Sequence, residues 1–427
     1  MGRSGFVKQF IRKPQQMRAR WWIFQIHLWA GIALALYMVV VGVSGSILVF
    51  REELTALQFP GLMNAPAATA PLADISTVVA QVKAKYPQHR ISGVRLPALY
   101  TQNFKVFLAT EDGLTVFADP VDGHVIGEMR REGWWITWIQ QLHFYLLAGK
   151  TGLLVNGAGG LLLVMLCFTG IIIWWPGIRR WTRSLWIDFR SGWKRINWDL
   201  HGAVGFWTLP LVFAWGLTGA YFAWPMEFAL TVNALSPVTN AVPKRPVIEP
   251  PTPAPPPGYA ERLDFAPLVA KAQALNPSTD FAGIDFPANP KAPLTLLMAR
   301  GERWNTRATN YVYFDPYRGT HKGTWQRGVN RTVGDAIVFL MGPLHFGVYW
   351  GMTVKILWAV LGFALSILAV TGILMYWNRS LGKQWRKWRI NPTARLEVSS
   401  LAGRKRQTLK SSNPVSAPKG LSTLDKG

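Results

Sequence analysis

The sequence predicts an α-helical membrane protein: a four-transmembrane-helix core built by internal duplication, carrying two small α+β domains on one side of the membrane. Three observations predict it. Four apolar runs reach the roughly 20 residues that a bilayer requires. The chain reads as one unit written twice, each unit being helix, polar domain, helix. Four of the seven histidines sit at the ends of the apolar runs, at spacings that repeat to the residue.

Residues 1–50 hold a basic N-terminal segment and the first span, about Leu28–Phe50. Its apolar run is too long for a cleavable signal peptide, and the repeat includes it. Residues 51–140 form the first external domain. There, Leu72–Tyr86 has helical periodicity, and Arg90–Leu96, Phe104–Thr110 and Leu114–Ala118 read as strands, with Glu-Asp-Gly at 111–113 as a hairpin turn. Residues 141–176 contain the second span, Leu153–Trp175, with a preceding segment at the outer face. A basic loop, 177–198, leads to the third span in 199–225, with its apolar run at Val204–Trp224.

Residues 226–343 form the second external domain. Its Pro-rich linker, 243–258, includes PPTPAPPPG and reads as a stiff polyproline-type spacer. Phe265–Leu275 reads as a helix, and strands are expected near Phe281–Phe286, Leu294–Met298 and Asn310–Phe314. The fourth span, Ile356–Trp377, lies in 344–378, again behind an outer-face segment. The tail, 379–427, is basic; from about Ser399 it is polar and Lys/Ser/Pro-rich, a composition of disorder. The external domains match at their ends, where Phe117-Ala-Asp-Pro-Val-Asp-Gly-His124 echoes Tyr313-Phe-Asp-Pro-Tyr-Arg-Gly-Thr-His321.

The net charge of +24 raises nucleic acid as a partner, but its distribution argues against it. Residues 1–20, 176–198 and 378–427 together carry +21 of it. These segments flank the apolar runs on one side, the positive-inside pattern. Both termini are therefore expected in the cytoplasm, with 51–140 and 226–345 outside, and anionic lipid is a sufficient partner for the charge. The single cysteine, Cys167, excludes an internal disulfide, a CxxC metal site or an iron–sulfur cluster, and reads as a packing residue.

The histidines carry the chemistry. His27 precedes Ser44-Gly45 by 17 positions and His201 precedes Thr218-Gly219 by the same 17; His143 precedes Thr169-Gly170 by 26 and His345 precedes Thr371-Gly372 by the same 26. An ionisable ring at membrane depth is costly and marks function. Spans one and three run outward and two and four inward, so equal depth pairs His27 with His201 and His143 with His345. Each pair suits axial ligation of one haem. Interfacial histidines with one face in water are the plainer alternative, set aside because the spacing repeats. Zinc lacks a Cys or carboxylate nearby to complete four ligands.

By helical rise, Ser44-Gly45 and Thr218-Gly219 fall near the outer histidines, and Thr169-Gly170 and Thr371-Gly372 near the inner ones. Small residues there would let a macrocycle lie close, and their hydroxyls would bond a histidine or a propionate; plain helix–helix packing explains them equally. Tyr145 and Phe346 are candidates to pack on the macrocycle, or ordinary interface aromatics. His124 and His321 read as turn residues and His89 as solvated. Arg95, Lys105, Arg303, Arg307, Arg318 and Arg331 are candidates for a basic surface facing an anionic substrate, with salt-bridged surface charge as the default reading. No GxGxxG after a strand and no P-loop is present. Electrons are therefore expected from membrane quinol or a cytosolic reductant.

Trp22–Gly31 (WIFQIHLWAG), Trp198–Gly205 (WDLHGAVG), Leu-His-Phe at 142–144 and 344–346, the four Ser/Thr-Gly dipeptides and the two Asp-Pro turns together resemble the PepSY-associated transmembrane family of bacterial inner-membrane proteins, over roughly residues 15–390. Within that family the chain looks most like the ferric-siderophore reductases. The resemblance implies PepSY-like periplasmic domains, two b-type haems ligated by the four histidines, and reduction of siderophore-bound iron in iron uptake. Gly202 and Ala203 stand after His201 where Leu28 and Trp29 follow His27, and the external domains diverge. Two other functions stay open: a haem carrier for another periplasmic acceptor, and a non-enzymatic membrane scaffold that binds or restrains a peptidase.

Overall fold

The computed structural model describes residues 9–385, apart from 64–69, 99–101, 132–133, 254, 257, 302–307, 348–349 and 383. The tail expected to be disordered, and Arg303 and Arg307, lie outside the described residues. In chain order the main helices are α1 (Arg18–Leu48), α2 (Arg51–Gln58), α3 (Ile75–Lys85), α4 (Trp135–Tyr145), α5 (Gly149–Trp174), α6 (Trp193–Ala223), α7 (Pro225–Leu235), α8 (Ala266–Leu275), α9 (Val333–Phe346) and α10 (Gly351–Tyr376). Strands β1–β4 are Ile91–Arg95, Phe104–Leu108, Thr115–Ala118 and Val125–Met129; β5–β8 are Asp280–Asp285, Leu294–Ala299, Thr309–Phe314 and His321–Gln326.

Four helices, α1, α5, α6 and α10, are long and apolar enough to cross a membrane. They are apolar all round, as helices facing both lipid and one another must be. Leu36, Val155, Phe168 and Val360 point outward from the bundle. The broadest interfaces are α1 with α10 and α5 with α6, so each half's second span packs on the other half's first. Glycines set these approaches: a Cβ on Gly160 would stand 2.6 Å from the Gly216 carbonyl oxygen, and one on Gly42 would stand 3.0 Å from that of Gly362. In hydrocarbon, where apolar burial gives no drive, such close backbone packing holds helices together.

The strands form one antiparallel sheet in the order β4-β3-β2-β1-β5-β6-β7-β8. This corrects the expectation of two small α+β domains: the two four-stranded sets fuse through β1 and β5, pairing Gly93 with Asp285, Val94 with Ile284 and Arg95 with Gly283. The reason is that β1 and β5 would each be an open edge of unpaired N–H and C=O groups, and joining them removes both edges. Gly283 permits the joint, since a Cβ there would strike the Val94 carbonyl oxygen. Arg95 seals it, bonding Asp285 at 2.7 Å with its guanidinium over the Phe107 ring. Helices α3 and α8 cover one face, burying Val78, Val82, Phe104, Val106, Leu296 and Phe314 in a single core.

Two further differences from the sequence expectation concern loops. The Pro-rich 243–258 segment is tied down: Ile248 is buried and donates its N–H to the Lys291 carbonyl at 2.9 Å. The loop 177–198 ends early, because α6 begins at Trp193. At the start of α9, the buried Asp335 carboxylate accepts from the backbone N–H groups of Thr239, Asn240 and Ala241 at 2.8, 2.8 and 3.0 Å, and from the Thr239 hydroxyl at 2.8 Å. Burial alone would raise its pKa; these donors outweigh burial and hold the carboxyl well below the usual range.

Candidate functional site: two histidine pairs

His27 lies on α1 and His201 on α6. His143 and His345 lie on the short helices α4 and α9, each separated by a sharp break from the span that follows. Leu146 and Leu147 adopt left-handed backbone at the first break, and Gly347 does so at the second. The structure brings the rings together in two pairs. His27 and His201 have centroids 6.5 Å apart with planes at 88°, and His143 and His345 have centroids 6.1 Å apart with planes at 55°. Each pair draws one ring from each half of the chain.

All four rings are held the same way. Nδ1 of His27 lies 2.9 Å from Thr169 Oγ1, Nδ1 of His143 2.9 Å from Ser44 Oγ, Nδ1 of His201 2.9 Å from Thr371 Oγ1, and Nδ1 of His345 2.8 Å from Thr218 Oγ1. Each hydroxyl donates its only proton to a carbonyl four residues back on its own helix: Met165, Val40, Ile367 and Ala214. The hydroxyl is then an acceptor toward the ring, which assigns the proton to Nδ1. Nε2 keeps its lone pair, the state that binds a metal, with the second nitrogen anchored as metal-ligating histidines generally are.

Three of the four glycines beside these hydroxyls make room for the imidazoles themselves. A Cβ on Gly45 would stand 2.9 Å from Cε1 of His143, one on Gly170 3.2 Å from Cε1 of His27, and one on Gly372 3.4 Å from Cε1 of His201. Gly219 differs, with no heavy atom within 4 Å of that position. The sequence left these glycines open between room for a macrocycle and helix packing; the contacts set three of them against the imidazole rings.

The separations fit a shared metal ion. A metal–nitrogen bond of about 2.0 Å on each side, with about 1.1 Å from nitrogen to ring centre, separates two centroids by about 6.2 Å. The donor set is two neutral imidazoles. Among the described residues no His, Cys, Asp or Glu joins either pair to make a three-ligand group. Bis-imidazole ligation of haem iron needs no third side chain. Phe222, not anticipated from sequence, sits edge-on to His345 at 5.2 Å, and Phe346 lies 5.4 Å from the same ring. Tyr145 contacts Phe144 rather than a histidine. Between the pairs lies an apolar core of Leu34, Met38, Val41, Leu163, Leu166, Cys167 and Val212. Beside Gly202, where the repeat departs from Leu28, lies Trp174, whose ring stacks on Phe206 at 4.3 Å.

The remaining candidates fall elsewhere. His124 bonds Asp122 at 2.6 Å in an exposed turn, and His321 Nε2 lies 3.0 Å from the Thr324 hydroxyl. Asp119, Asp122 and His124 bring their ligand atoms within 4.8 Å of one another in that turn. His89 accepts from Lys83 through its carbonyl. Arg318 pairs with Asp315 at 3.0 Å. Lys105 has its pKa lowered, chiefly by burial, with Glu52 opposing. Arg331 adds its backbone N–H to Asp335 at 3.1 Å. Side-chain pairs with Asp285 and Asp315 account for Arg95 and Arg318 within the fold.

Sequence reasoning missed Tyr37 and Asn156. Asn156 is the one amide side chain in the second span, 13 positions after His143, and Trp358 stands 13 positions after His345. A family model described as the PepSY-associated TM region matches residues 24–379, which include all four histidines. An uncharacterized protein of Pseudomonas aeruginosa is 26% identical over 263 residues, covering 56% of this chain and 62% of that protein. The match thus spans less than two thirds of that relative's length.

Proposed function

The chain belongs to the PepSY-associated TM region family, and from that premise we propose that it is a di-haem b electron-transfer protein of the bacterial inner membrane, an oxidoreductase that reduces ferric iron held by a siderophore. The observation that carries this reading is the pair of imidazole pairs, 6.5 and 6.1 Å apart, with every Nδ1 anchored on a hydroxyl.

Haem bound at both pairs supplies one-electron transfer along the bundle. His27 and His201 hold one end and His143 and His345 the other, and the 17 residues from His27 to Ser44 span about 25 Å of α1. Ser44, Thr169, Thr218 and Thr371 keep each Nε2 unprotonated and aimed. The apolar core between the pairs excludes water.

The basic segments near His27 and His201 favour that end as cytoplasmic, where membrane quinol or a cytosolic reductant donates. The sheet then faces the periplasm. One electron converts Fe(III) to Fe(II), which hard oxygen ligands hold less tightly, and the iron is released for uptake. The siderophore as acceptor rests on the family resemblance; the electron-transfer reading rests on the histidines.

The test is the reduced-minus-oxidised visible spectrum of the purified protein, with haem quantified per chain, before and after each His→Ala substitution. Two b-type haems are expected, with His143→Ala and His345→Ala removing one and His27→Ala and His201→Ala the other. A folded, haem-free protein from haem-replete cells would overturn the proposal and favour a scaffold. Reduction assays with ferric siderophores and other periplasmic acceptors then identify the acceptor.

A further inference from the structure

We propose that Asn156, locked by Tyr37, is a positioning residue for His143, giving one ligand of its pair a polar mount that the other lacks. The proposal rests on the reading of His143 as a haem ligand. An α-helix leaves its last carbonyls without intrahelical partners. Helix α4 ends two residues after His143, and the chain turns through Leu146 and Leu147 at φ 46° and 59°. Left-handed backbone costs a non-glycine residue about 1 kcal/mol or more, and it persists only where the surroundings enforce it.

The N–H groups of Leu146 and Leu147 close that turn on the Leu142 and Gln141 carbonyls, and Asn156 takes the two carbonyls just before it. From α5 its Nδ2 reaches back to the His143 carbonyl at 2.7 Å and the Phe144 carbonyl at 3.1 Å. Both amide protons are thereby used, so Oδ1 must be the acceptor, and it accepts from the Tyr37 hydroxyl on α1 at 2.8 Å. Every polar atom of the Asn156 side chain is committed, which fixes the amide orientation. His143 is therefore held twice: its ring by Ser44 of α1 and its backbone by Asn156 of α5, itself tied to α1.

The other half is built differently. The positions equivalent to Tyr37 and Asn156 in the repeat are Leu211 and Trp358. Trp358 donates its indole N–H to the Leu344 carbonyl at 2.9 Å, one residue before His345, and Leu211, standing where Tyr37 does, carries no hydroxyl. The polar relay thus serves His143 alone, and it sets the placement of that ring against the His345 ring.

The test uses the full-length protein. The angle between axial imidazole planes sets the anisotropy of a low-spin ferric haem, so pairs at 88° and 55° give separable electron paramagnetic resonance signals. Asn156→Asp keeps the shape but turns an acceptor toward two carbonyls; it is expected to lose the His143/His345 haem and keep the other. Tyr37→Phe removes only a hydroxyl; it is expected to keep both haems and to shift the signal and midpoint potential of the His143/His345 haem alone.

Both variants leaving both signals and potentials unchanged would overturn the proposal, as would equal loss of both haems in Asn156→Asp together with an unshifted Tyr37→Phe. A haem-free wild type would strike the proposed function instead. In that case diethyl pyrocarbonate labelling read by mass spectrometry decides: faster labelling of His143, with His27 and His201 unchanged in Asn156→Asp, supports the positioning role, and an unchanged His143 rejects it.

Discussion

Ser44 holds Nδ1 of His143 at 2.9 Å while giving its own proton to the carbonyl of Val40. The contact is reciprocated 17 residues earlier on α1, where Thr169 of α5 holds His27. Antiparallel spans thus exchange a hydroxyl for a ring at each end. The same exchange joins α6 with α9 and α10, through His201 with Thr371 and Thr218 with His345. The longer spacing of 26 between His143 and Thr169 arises because His143 sits beyond a break, on α4 rather than α5.

Removing one of these hydroxyls should weaken the pair it serves. Ser44→Ala frees Nδ1 of His143 to lose its proton or turn, and loss of such an outer partner typically costs 10–100-fold in metal affinity. On the proposed di-haem reading, haem titration of the haem-free protein should show weakening of about that size at the His143/His345 site and none at the other.

The glycines make a contrasting prediction. Gly45→Ala forces a Cβ to within 2.9 Å of the His143 ring, whereas Gly219→Ala meets no heavy atom within 4 Å. Gly45→Ala should displace the ring and alter the visible spectrum. Gly219→Ala should leave the spectrum intact and stabilise α6 by about 0.5–1 kcal/mol, the ordinary gain from replacing a helical glycine. Parallel thermal unfolding and spectra check both.

Much of this site was legible because lattice spacing survives in sequence: four histidines and four small dipeptides at repeated offsets fix which residues share a depth. The mounts were not legible. Asn156 and Trp358 act on backbone carbonyls exposed by a helix break, and nothing in the residues around 146 announces left-handed leucines. In the sheet, β1, β2 and β3 were readable from their apolar runs. β4 (VIGEM) and β8 (HKGTWQ) escaped because they alternate exposed, polar or small residues at the sheet edges. The fusion of β1 to β5 is a pairing between strands far apart in the chain, which local pattern does not encode.

That joint can be broken at one residue. Gly283→Val drives a side chain into the Val94 carbonyl and should part β1 from β5. The expected result is destabilisation of the sheet by about 2–4 kcal/mol, in line with severe local clashes, and new cleavage near β1 and β5 in limited proteolysis. Spectra of the histidine pairs should change less than those of Gly45→Ala.

Acid should act through Asp335. Its folded pKa lies below the ordinary value of 3.8, so the unfolded chain binds the proton more readily. The carboxylate's contribution is therefore fully present above the unfolded value and is lost as pH falls through the folded one. Asp335→Asn should destabilise the start of α9 at pH 7 by about 2 kcal/mol, the scale of hydrogen bonds to a charged group. The deficit relative to the native chain should begin to shrink as pH falls below the ordinary value of 3.8, where the unfolded carboxyl takes up a proton while the folded one stays ionised. Thermal unfolding across pH 2–7 measures both.

Because each pair joins one ring from residues before 150 with one from residues after 200, neither pair exists while the ribosome has made only the first half. The first half alone holds His27 with Thr169 and His143 with Ser44, but gives neither ring an opposing partner. The pair at one end closes when α6 inserts, and the other only once α9 and α10 arrive. Insertion in chain order would therefore let the pair remote from the sheet close first and the pair adjoining it only after α9 and α10 are in place.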